Sequence, residues 1–142
     1  MATLSKAQAH WEGSLVEGAG SVDLVTSGLG HFELKWAKRT EASSGATNPE
    51  ELIAAAHSSC YSMALSHALA GNGTPAESID TTAVVGFQPG VGITGSDLTV
   101  VAKVPGLTEE EFQKFAAEAK TGCPVSGALT GIPITLTAQF VS

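Results

Sequence analysis

The stretch NPEELIAAAHSSCYSMALSHALAG (residues 48–71) decides how the chain folds, because it carries the signals of one long helix. Asn48 is a favourable N-cap, Pro49 suits the first helical position, Glu51 has capping-box spacing, and Gly71 supplies a stop. The interior has few charges and many small residues, which predicts a helix buried on most sides. Its small face also predicts that another element packs close against it.

Strand patterns lie on both sides of this helix. Alternating apolar residues between glycine turns predict an antiparallel three-stranded meander over residues 7–11, 20–26 and 31–36, followed by a polar loop. After the helix we expect strands over 78–87 and 94–104, a helix capped by Thr108, a short helix from Pro124 to about Thr130, and a strand over 132–141. Such segregated elements are typical of the α+β class.

Length and composition favour one domain spanning residues 1–142. The chain has 142 residues and a net charge of −7, and a chain of this size buries about 70% of its unfolded surface. The acidic balance argues against a nucleic-acid partner. The first residues lack a signal-peptide pattern, and no apolar run reaches the ~18 residues of a membrane span. We therefore expect a cytoplasmic protein without a membrane partner.

The two cysteines, Cys60 and Cys123, are the first candidates for chemistry. In a reducing compartment such a pair is redox-active, metal-binding or simply buried. A zinc site needs four ligands, and His57 alone is spaced to share a helix face with Cys60, so we expect no metal and no cofactor. From composition alone, Cys60 is best interpreted as a small core residue. Cys123 precedes Pro124 at a helix start, where N–H groups can lower a thiol pKa, and a thiol between two helices can equally be a packed cap.

Arg39 and Glu50 each have a structural and a functional interpretation. On position alone Arg39 suits a solvated loop, but a cation there could also stabilise the Cys60 thiolate and bind an oxygenated substrate. Glu50 lies in the first turn of the long helix, where it complements the helix dipole. His57 and His67 fit packed or solvated positions better than catalytic ones.

The spacing of Glu50 and Cys60 favours a homodimer. Ten residues of helix span about 15 Å, so the two side chains cannot touch one small substrate from the same helix. Antiparallel pairing with the same helix of a second copy would bring Glu50 of one chain towards Cys60 of the other. The small side chains permit that close approach, and a two-fold dimer satisfies the geometry.

Four stretches along nearly the whole chain carry a family resemblance: AHWEG (9–13), TNPEELIAAAHSSCYSMAL (47–65), IDTTA (79–83) and GCPVS (122–126). Together they resemble the osmotically inducible protein C and organic hydroperoxide resistance (OsmC/Ohr) family of thiol peroxidases, and especially its osmotically inducible branch. The resemblance implies an OsmC-like fold, with antiparallel sheets wrapped around two central helices in an intertwined homodimer.

The resemblance also implies an activity and a set of site residues. The activity is reduction of organic hydroperoxides, and of hydrogen peroxide less well, without metal or haem. Cys60 matches the peroxidatic cysteine and Cys123 the resolving one, which together pass through a sulfenic acid and a Cys60–Cys123 disulfide. Arg39 matches the arginine that stabilises the thiolate and the substrate. Glu50 matches the glutamate that orients this arginine, and in one arrangement this glutamate belongs to the other subunit. The reductant implied is a dithiol, for example a lipoylated protein.

Two other classes of function stay open at the level of sequence. One is a non-catalytic stress or binding protein that keeps the fold and packs both thiols. The other is a hydrolase with a cysteine nucleophile, which needs a histidine base near Cys60; His57 has no evident orienting partner. The presence of all four matched residues favours a peroxidase in oxidative and osmotic stress defence.

Overall fold

The computed structural model describes residues 1–41 and 45–142, which form two compact units, Met1–Leu52 and Ile53–Ser142. The prediction of one domain over residues 1–142 stays a prediction. In the first unit, three strands pair antiparallel in the order β1-β2-β3: β1 (Ala7–Glu12), β2 (Ala19–Leu24) and β3 (His31–Leu34). The predicted meander is confirmed.

A short helix, α1 (Trp36–Thr40), follows the meander, where strand and loop were predicted. Trp36 was assigned to the end of the third strand, and that assignment is wrong. The helix is favoured because Lys35 to Arg39 are Lys, Trp, Ala, Lys and Arg, without a β-branched residue, and Ala, Lys and Arg are good helix formers. Residues 42–44 of the predicted loop lie outside the described residues.

The long helix is α2 (Pro49–Gly71), as predicted. Asn48 caps it, since its side-chain oxygen accepts a hydrogen bond from the Glu51 N–H at 2.7 Å. The Glu51 carboxylate accepts a hydrogen bond from the Thr47 hydroxyl. Thr47 thus takes the place of the Asn48 N–H, which is the partner that a capping box predicts. The left-handed residue that turns the chain away is Gly73, at φ 79°, rather than Gly71.

Within one chain, α2 is buried along a single stripe. His57, Tyr61, Leu65 and Leu69 are each completely buried and recur every four residues, which places them on one helix face. Met63, on another face, is 68% exposed. The expectation of a helix buried on most sides is therefore wrong for the single chain, because one chain supplies only one packed layer.

The second unit contains a mixed three-stranded sheet. Its strands are β4 (Ser78–Gln88), β5 (Gly92–Lys103) and β6 (Ile134–Val141), in the order β4-β5-β6. β4 and β5 are antiparallel, whereas β6 runs parallel to β5, a pairing that the sequence did not predict. The connection from β5 to β6 passes through two helices, α3 (Glu109–Gly122) and α4 (Pro124–Ala128), which supply the crossover that parallel strands require.

The core of the second unit lies between this sheet, α2 and α3. Its members are buried apolar side chains, among them Tyr61, Leu65, Leu69, Leu98, Val100, Ala102 and Phe112. The Phe112 ring packs against the ring of Phe140 on β6, and the two ring centroids are 5.2 Å apart. The predicted capping box at Thr108 is confirmed, with the Thr108 hydroxyl accepting from the Glu111 N–H. The α+β class is confirmed as well.

Candidate active site

Cys60 of α2 and Cys123 of the α3–α4 junction are free thiols that lie close enough to shift each other's pKa. Cys123 ends α3 and caps α4, and its N–H donates to the Ala119 carbonyl at 2.9 Å. Tyr61, next to Cys60, donates its hydroxyl to the Ala116 carbonyl of α3 at 2.9 Å. That bond fixes α2 against α3 at the level of the thiols. The fold thus brings together two cysteines that are distant in sequence.

The two thiols differ in access. Cys123 is only 1% exposed, whereas Cys60 is half-buried and lines an open groove of about 620 Å³. The groove is walled by α2 and the α3–α4 junction, through residues that include Met63, Ala64, His67, Ala68, Gly122 and Pro124. A small molecule in this groove meets the sulfur of Cys60 and not that of Cys123.

The pKa values of the two thiols are shifted in opposite directions. Burial raises the pKa of the Cys60 thiol, and its hydrogen bond with Cys123 raises it further, against a smaller opposing effect of Val125. Burial also acts to raise the pKa of Cys123, but hydrogen bonds from Cys60, from Ser126 and from the Val125 N–H outweigh it, so that pKa falls below its usual value. The contact with Cys60 is the largest of the effects that lower the pKa of Cys123.

His57 of α2 contacts one serine of β5 and one of α4. Its imidazole is completely buried, with Nδ1 at 2.6 Å from the Ser96 hydroxyl oxygen and Nε2 at 2.8 Å from that of Ser126. Burial lowers the pKa of His57 below 6.5, which favours the neutral ring. The prediction that His57 is packed is confirmed. Its contacts with Ser96 and Ser126 were missed, because these serines carry no sequence signal that relates them to this helix.

In the first unit, Arg39 and Glu50 form an ion pair within one chain. The Arg39 Nε donates to the Glu50 Oε1 at 2.9 Å, and the side chains are 31% and 6% exposed. The other carboxylate oxygen, Oε2, is buried without a hydrogen-bond partner among the described residues. The Asn48 side-chain amide donates to the Lys38 carbonyl at 2.8 Å, which ties α1 to the start of α2. Arg39 therefore lies on a helix, not in the solvated loop that its sequence position suggested.

Arg39 also lines a pocket of about 280 Å³ in the first unit. Most of the other lining residues are apolar or aromatic: Trp11, Leu15, Leu34, Trp36 and Pro49. A guanidinium among apolar side chains can bind an oxygen atom of an otherwise apolar molecule. It can also pair with a neighbouring sulfur anion.

Residues 1–41 and 45–142 contain neither a candidate metal site nor a candidate membrane span. No cluster of three or more His, Cys, Asp or Glu side chains in this part of the chain is arranged to hold a metal ion. None of the helices described there is both long and apolar enough to cross a membrane.

The fold and the paired thiols define a dithiol protein of the α+β class. A model of the OsmC-like protein family matches residues 41–137. The chain is 43% identical over 140 residues to a peroxiredoxin OsmC of Escherichia coli (strain K12), and the match covers 96% of each chain. It is 36% identical over 97 residues to an organic hydroperoxide resistance protein of Xanthomonas axonopodis pv. citri (strain 306), covering 64% of this chain and 66% of that one.

A solved structure extends these similarities to the fold. An organic hydroperoxide resistance protein of Elizabethkingia anophelis superposes with a TM-score of 0.72 at 30% identity, covering 99% of this chain and 100% of that one. The chain belongs to the OsmC family. The resemblance drawn from its four sequence stretches is confirmed.

Proposed function

We propose that the protein is a cysteine-based peroxidase that reduces organic hydroperoxides, and hydrogen peroxide less well, in defence against oxidative and osmotic stress. Membership of the OsmC family and the names of its relatives support the peroxidase class. The observation that carries the proposal is the contact between an accessible thiol, Cys60, and a buried one, Cys123. Such a pair suits a cycle in which the first thiol is oxidised and the second resolves it.

In the first step, the Cys60 thiolate attacks an oxygen of the peroxide. The O–O bond breaks, an S–O bond forms, and the leaving oxygen takes a proton and departs as an alcohol or water, so that Cys60 becomes a sulfenic acid. The greater accessibility of Cys60 supports its role in this step, since Cys123 is 1% exposed. Because burial raises the pKa of Cys60 in the single chain, a cation beside its sulfur is needed to favour the thiolate.

Arg39 is the cation in this proposal. A guanidinium next to Cys60 lowers the thiol pKa and neutralises charge that develops on the leaving oxygen. The bond from the Arg39 Nε to Glu50, at 2.9 Å, supports an orienting role for that carboxylate. The apolar pocket beside Arg39 suits the organic part of a hydroperoxide.

In the second step, the Cys123 sulfur attacks the sulfenic sulfur of Cys60. An S–S bond forms, and the hydroxyl group of the sulfenic acid leaves and is protonated to water. The lowered pKa of Cys123 supports this role, because the thiolate is the attacking species. An external dithiol then reduces the disulfide by two exchange reactions, and a lipoylated protein is one reductant of this type.

The proposed enzyme is a homodimer in which Arg39 and Glu50 of one copy act at Cys60 of the other. Exposed apolar side chains on both units support an interface: Trp11 at 38%, Leu15 at 55%, Phe32 at 39% and Met63 at 68%.

Mixed dimers of an Arg39→Ala chain and a Cys60→Ser chain test the arrangement. One of their two sites is intact if the residues act across the dimer, so activity returns on mixing. No recovery in verified mixed dimers, or full activity of a monomer in sedimentation experiments, would rule it out.

The function itself is tested by consumption of cumene hydroperoxide with a dithiol reductant. Cys60→Ser should abolish turnover, and Cys123→Ser should stop after one turnover. Ser58→Ala is a matched control, since the Ser58 hydroxyl bonds to the Ala54 carbonyl of its own helix at 2.9 Å, and it should retain the rate. An unchanged rate in Cys60→Ser refutes the mechanism, as does oxidised protein without a Cys60–Cys123 linkage by mass spectrometry.

The two alternative functions have less support. A cysteine hydrolase needs a histidine base, but both ring nitrogens of His57 are engaged by the Ser96 and Ser126 hydroxyls. A protein that merely packs its thiols has no reason to place Cys60 at an open groove.

A further inference from the structure

The two sulfurs of the proposed disulfide differ in their access to an external reductant. Cys60 lines the groove of about 620 Å³, whereas Cys123 is 1% exposed and belongs to the buried core cluster. We propose that the reductant enters through this groove and attacks the sulfur of Cys60, so that Cys123 is the leaving group. This inference rests on the two-cysteine mechanism proposed above and names the sulfur at which the cycle is reset.

The chain around Cys123 withdraws its sulfur from the groove. Gly122 and Pro124 are exposed and line the groove, whereas Cys123 between them is buried and is not one of the lining residues. The Cys123 N–H donates to the Ala119 carbonyl at 2.9 Å, and its own carbonyl accepts from the Gly127 N–H at 3.1 Å. These two bonds fix the Cys123 backbone between α3 and α4, with its side chain on the core side of the groove wall.

The geometry of thiol–disulfide exchange makes this difference decisive. An attacking thiolate approaches one sulfur from the side opposite the other sulfur, and the rate depends on access to the sulfur that is attacked. From the groove this approach is open at Cys60, because Cys123 lies deeper, among the buried core residues. An attack on Cys123 would have to come from the packed side, where a reductant has no room.

The exchange then follows in two balanced steps. The thiolate of the reductant forms an S–S bond with Cys60, the Cys60–Cys123 bond breaks, and its electron pair stays on the Cys123 sulfur, which takes up a proton. The second thiol of the reductant loses its proton and attacks the reductant's first sulfur, which releases Cys60 as a thiolate. The protein gains two electrons, and the two thiols of the reductant become a disulfide.

The position of Cys123 favours a dithiol over a monothiol as the reductant. The released Cys123 stays beside the mixed disulfide, so it can attack the Cys60 sulfur again and expel the reductant. A second thiol in the same reductant competes with this return, because its attack is also intramolecular. A monothiol has no such group and depends on the arrival of another molecule from solution.

The first test identifies the sulfur that is attacked. The disulfide is formed with diamide, which oxidises the two thiols and is itself reduced to the hydrazine, so no peroxidase activity is needed. The oxidised protein is exposed briefly to mercaptoethanol, quenched with acid, and alkylated with N-ethylmaleimide in denaturant. Peptide mass spectrometry should find mercaptoethanol on Cys60 and maleimide on Cys123. The reverse pattern, or equal labelling of the two cysteines, would overturn the proposal.

A second measurement decides the case in which the mixed disulfide is too short-lived to trap. Dithiodipyridine, an uncharged disulfide, is reacted at one pH with folded Cys123→Ser, which keeps Cys60, and with folded Cys60→Ser, which keeps Cys123. Cys60 should react about a hundredfold faster, because it alone is reached from the groove. A ratio below about ten would contradict the difference in access on which the proposal depends.

Two glycines provide a matched pair of variants for the route. Neither Gly122 nor Gly127 has a positive φ, and a Cβ added to either would meet open space, so leucine fits at both positions. Gly122 lines the groove, whereas Gly127 is not one of its lining residues. Gly122→Leu should slow reduction of the diamide-formed disulfide by dithiothreitol about tenfold, and Gly127→Leu should leave that rate unchanged. Equal rates in the two variants would show that the reductant does not enter through this groove.

The outcomes distinguish this proposal from the proposed function. If the unsubstituted protein consumes no hydroperoxide, the peroxidase proposal fails, and the diamide-formed disulfide still reports which sulfur is attacked. If diamide forms no Cys60–Cys123 linkage, both proposals fail, because the two thiols then do not form the bond that the reductant is proposed to open.

Discussion

The ion pair between Arg39 and Glu50 gives a quantitative prediction for the first unit. Arg39→Met removes the guanidinium and keeps most of the unbranched stem, so the Glu50 carboxylate loses its cation while it stays buried at 6% exposure. Removing one partner of a fully buried pair costs about 3–5 kcal/mol. Because Arg39 keeps 31% of its exposure, water compensates part of that loss, and we expect a destabilisation of about 2 kcal/mol.

A double-mutant cycle measures the coupling directly. Urea unfolding of Arg39→Met, Glu50→Gln and the double variant is compared at one protein concentration and with the thiols kept reduced. Glu50→Gln removes the charge and keeps the shape, so Arg39→Met should be much less harmful in that background. We expect a coupling free energy of about 1–2 kcal/mol. Lys114→Met, at an exposed position of α3, is the matched control and should change the free energy of unfolding by less than about 0.5 kcal/mol.

A coupling free energy below about 0.5 kcal/mol would refute the reasoning. It would mean that Arg39 and Glu50 behave as an exposed pair, and that Glu50 does not fix the guanidinium. An orienting role for Glu50 would then lose its physical basis.

Three further predictions concern the second unit. Tyr61→Phe removes the hydroxyl that bonds the Ala116 carbonyl; that carbonyl keeps its helical partner within α3, so the free energy of urea unfolding should fall by about 0.5–1.5 kcal/mol, whereas an unchanged value would show that this hydrogen bond adds nothing to the net stability. Thr108→Ala breaks the capping box and should destabilise by about 1 kcal/mol, measured against Thr121→Ala, which should change stability by less than half as much if the cap is the cause. His57 has a folded pKa below the unfolded 6.5, so the unfolded chain binds more protons; its contribution to stability is complete above pH 6.5 and is lost as the pH falls through 6.5 towards the folded pKa. His57→Gln should remove this part of the pH dependence in urea titrations, and identical pH profiles would contradict it.

The features that were predicted best from the sequence are those that depend on neighbouring residues, such as helix starts and turns. Asn48 and Pro49 placed the start of α2, and Thr108 with Glu111 placed the start of α3, because caps act within one turn. The meander followed from alternation between glycine turns.

Features that depend on distant residues were not predictable in this way. The parallel pairing of β6 with β5 follows from the route of the chain through α3 and α4, and β6 itself carries no sign of its direction. The contacts of His57 with Ser96 and Ser126 join three elements that are distant in sequence. The prediction from neighbouring residues was also wrong at α1. Trp36 continues an alternating apolar pattern, which predicted a strand, but the structure places it at the start of a helix whose other residues include good helix formers.

The position of Cys123 in the crossover between two parallel strands has a consequence for stability. Cys60 and Cys123 lie 63 positions apart (123 − 60), so a bond between them closes a large loop that the reduced, unfolded chain leaves open. In the chain-entropy description a loop of this length stabilises the folded state by about 4 kcal/mol. That is a large fraction of the 5–15 kcal/mol typical of a domain. Oxidation would then make the protein markedly harder to unfold, and each reduction would return it to its more labile form.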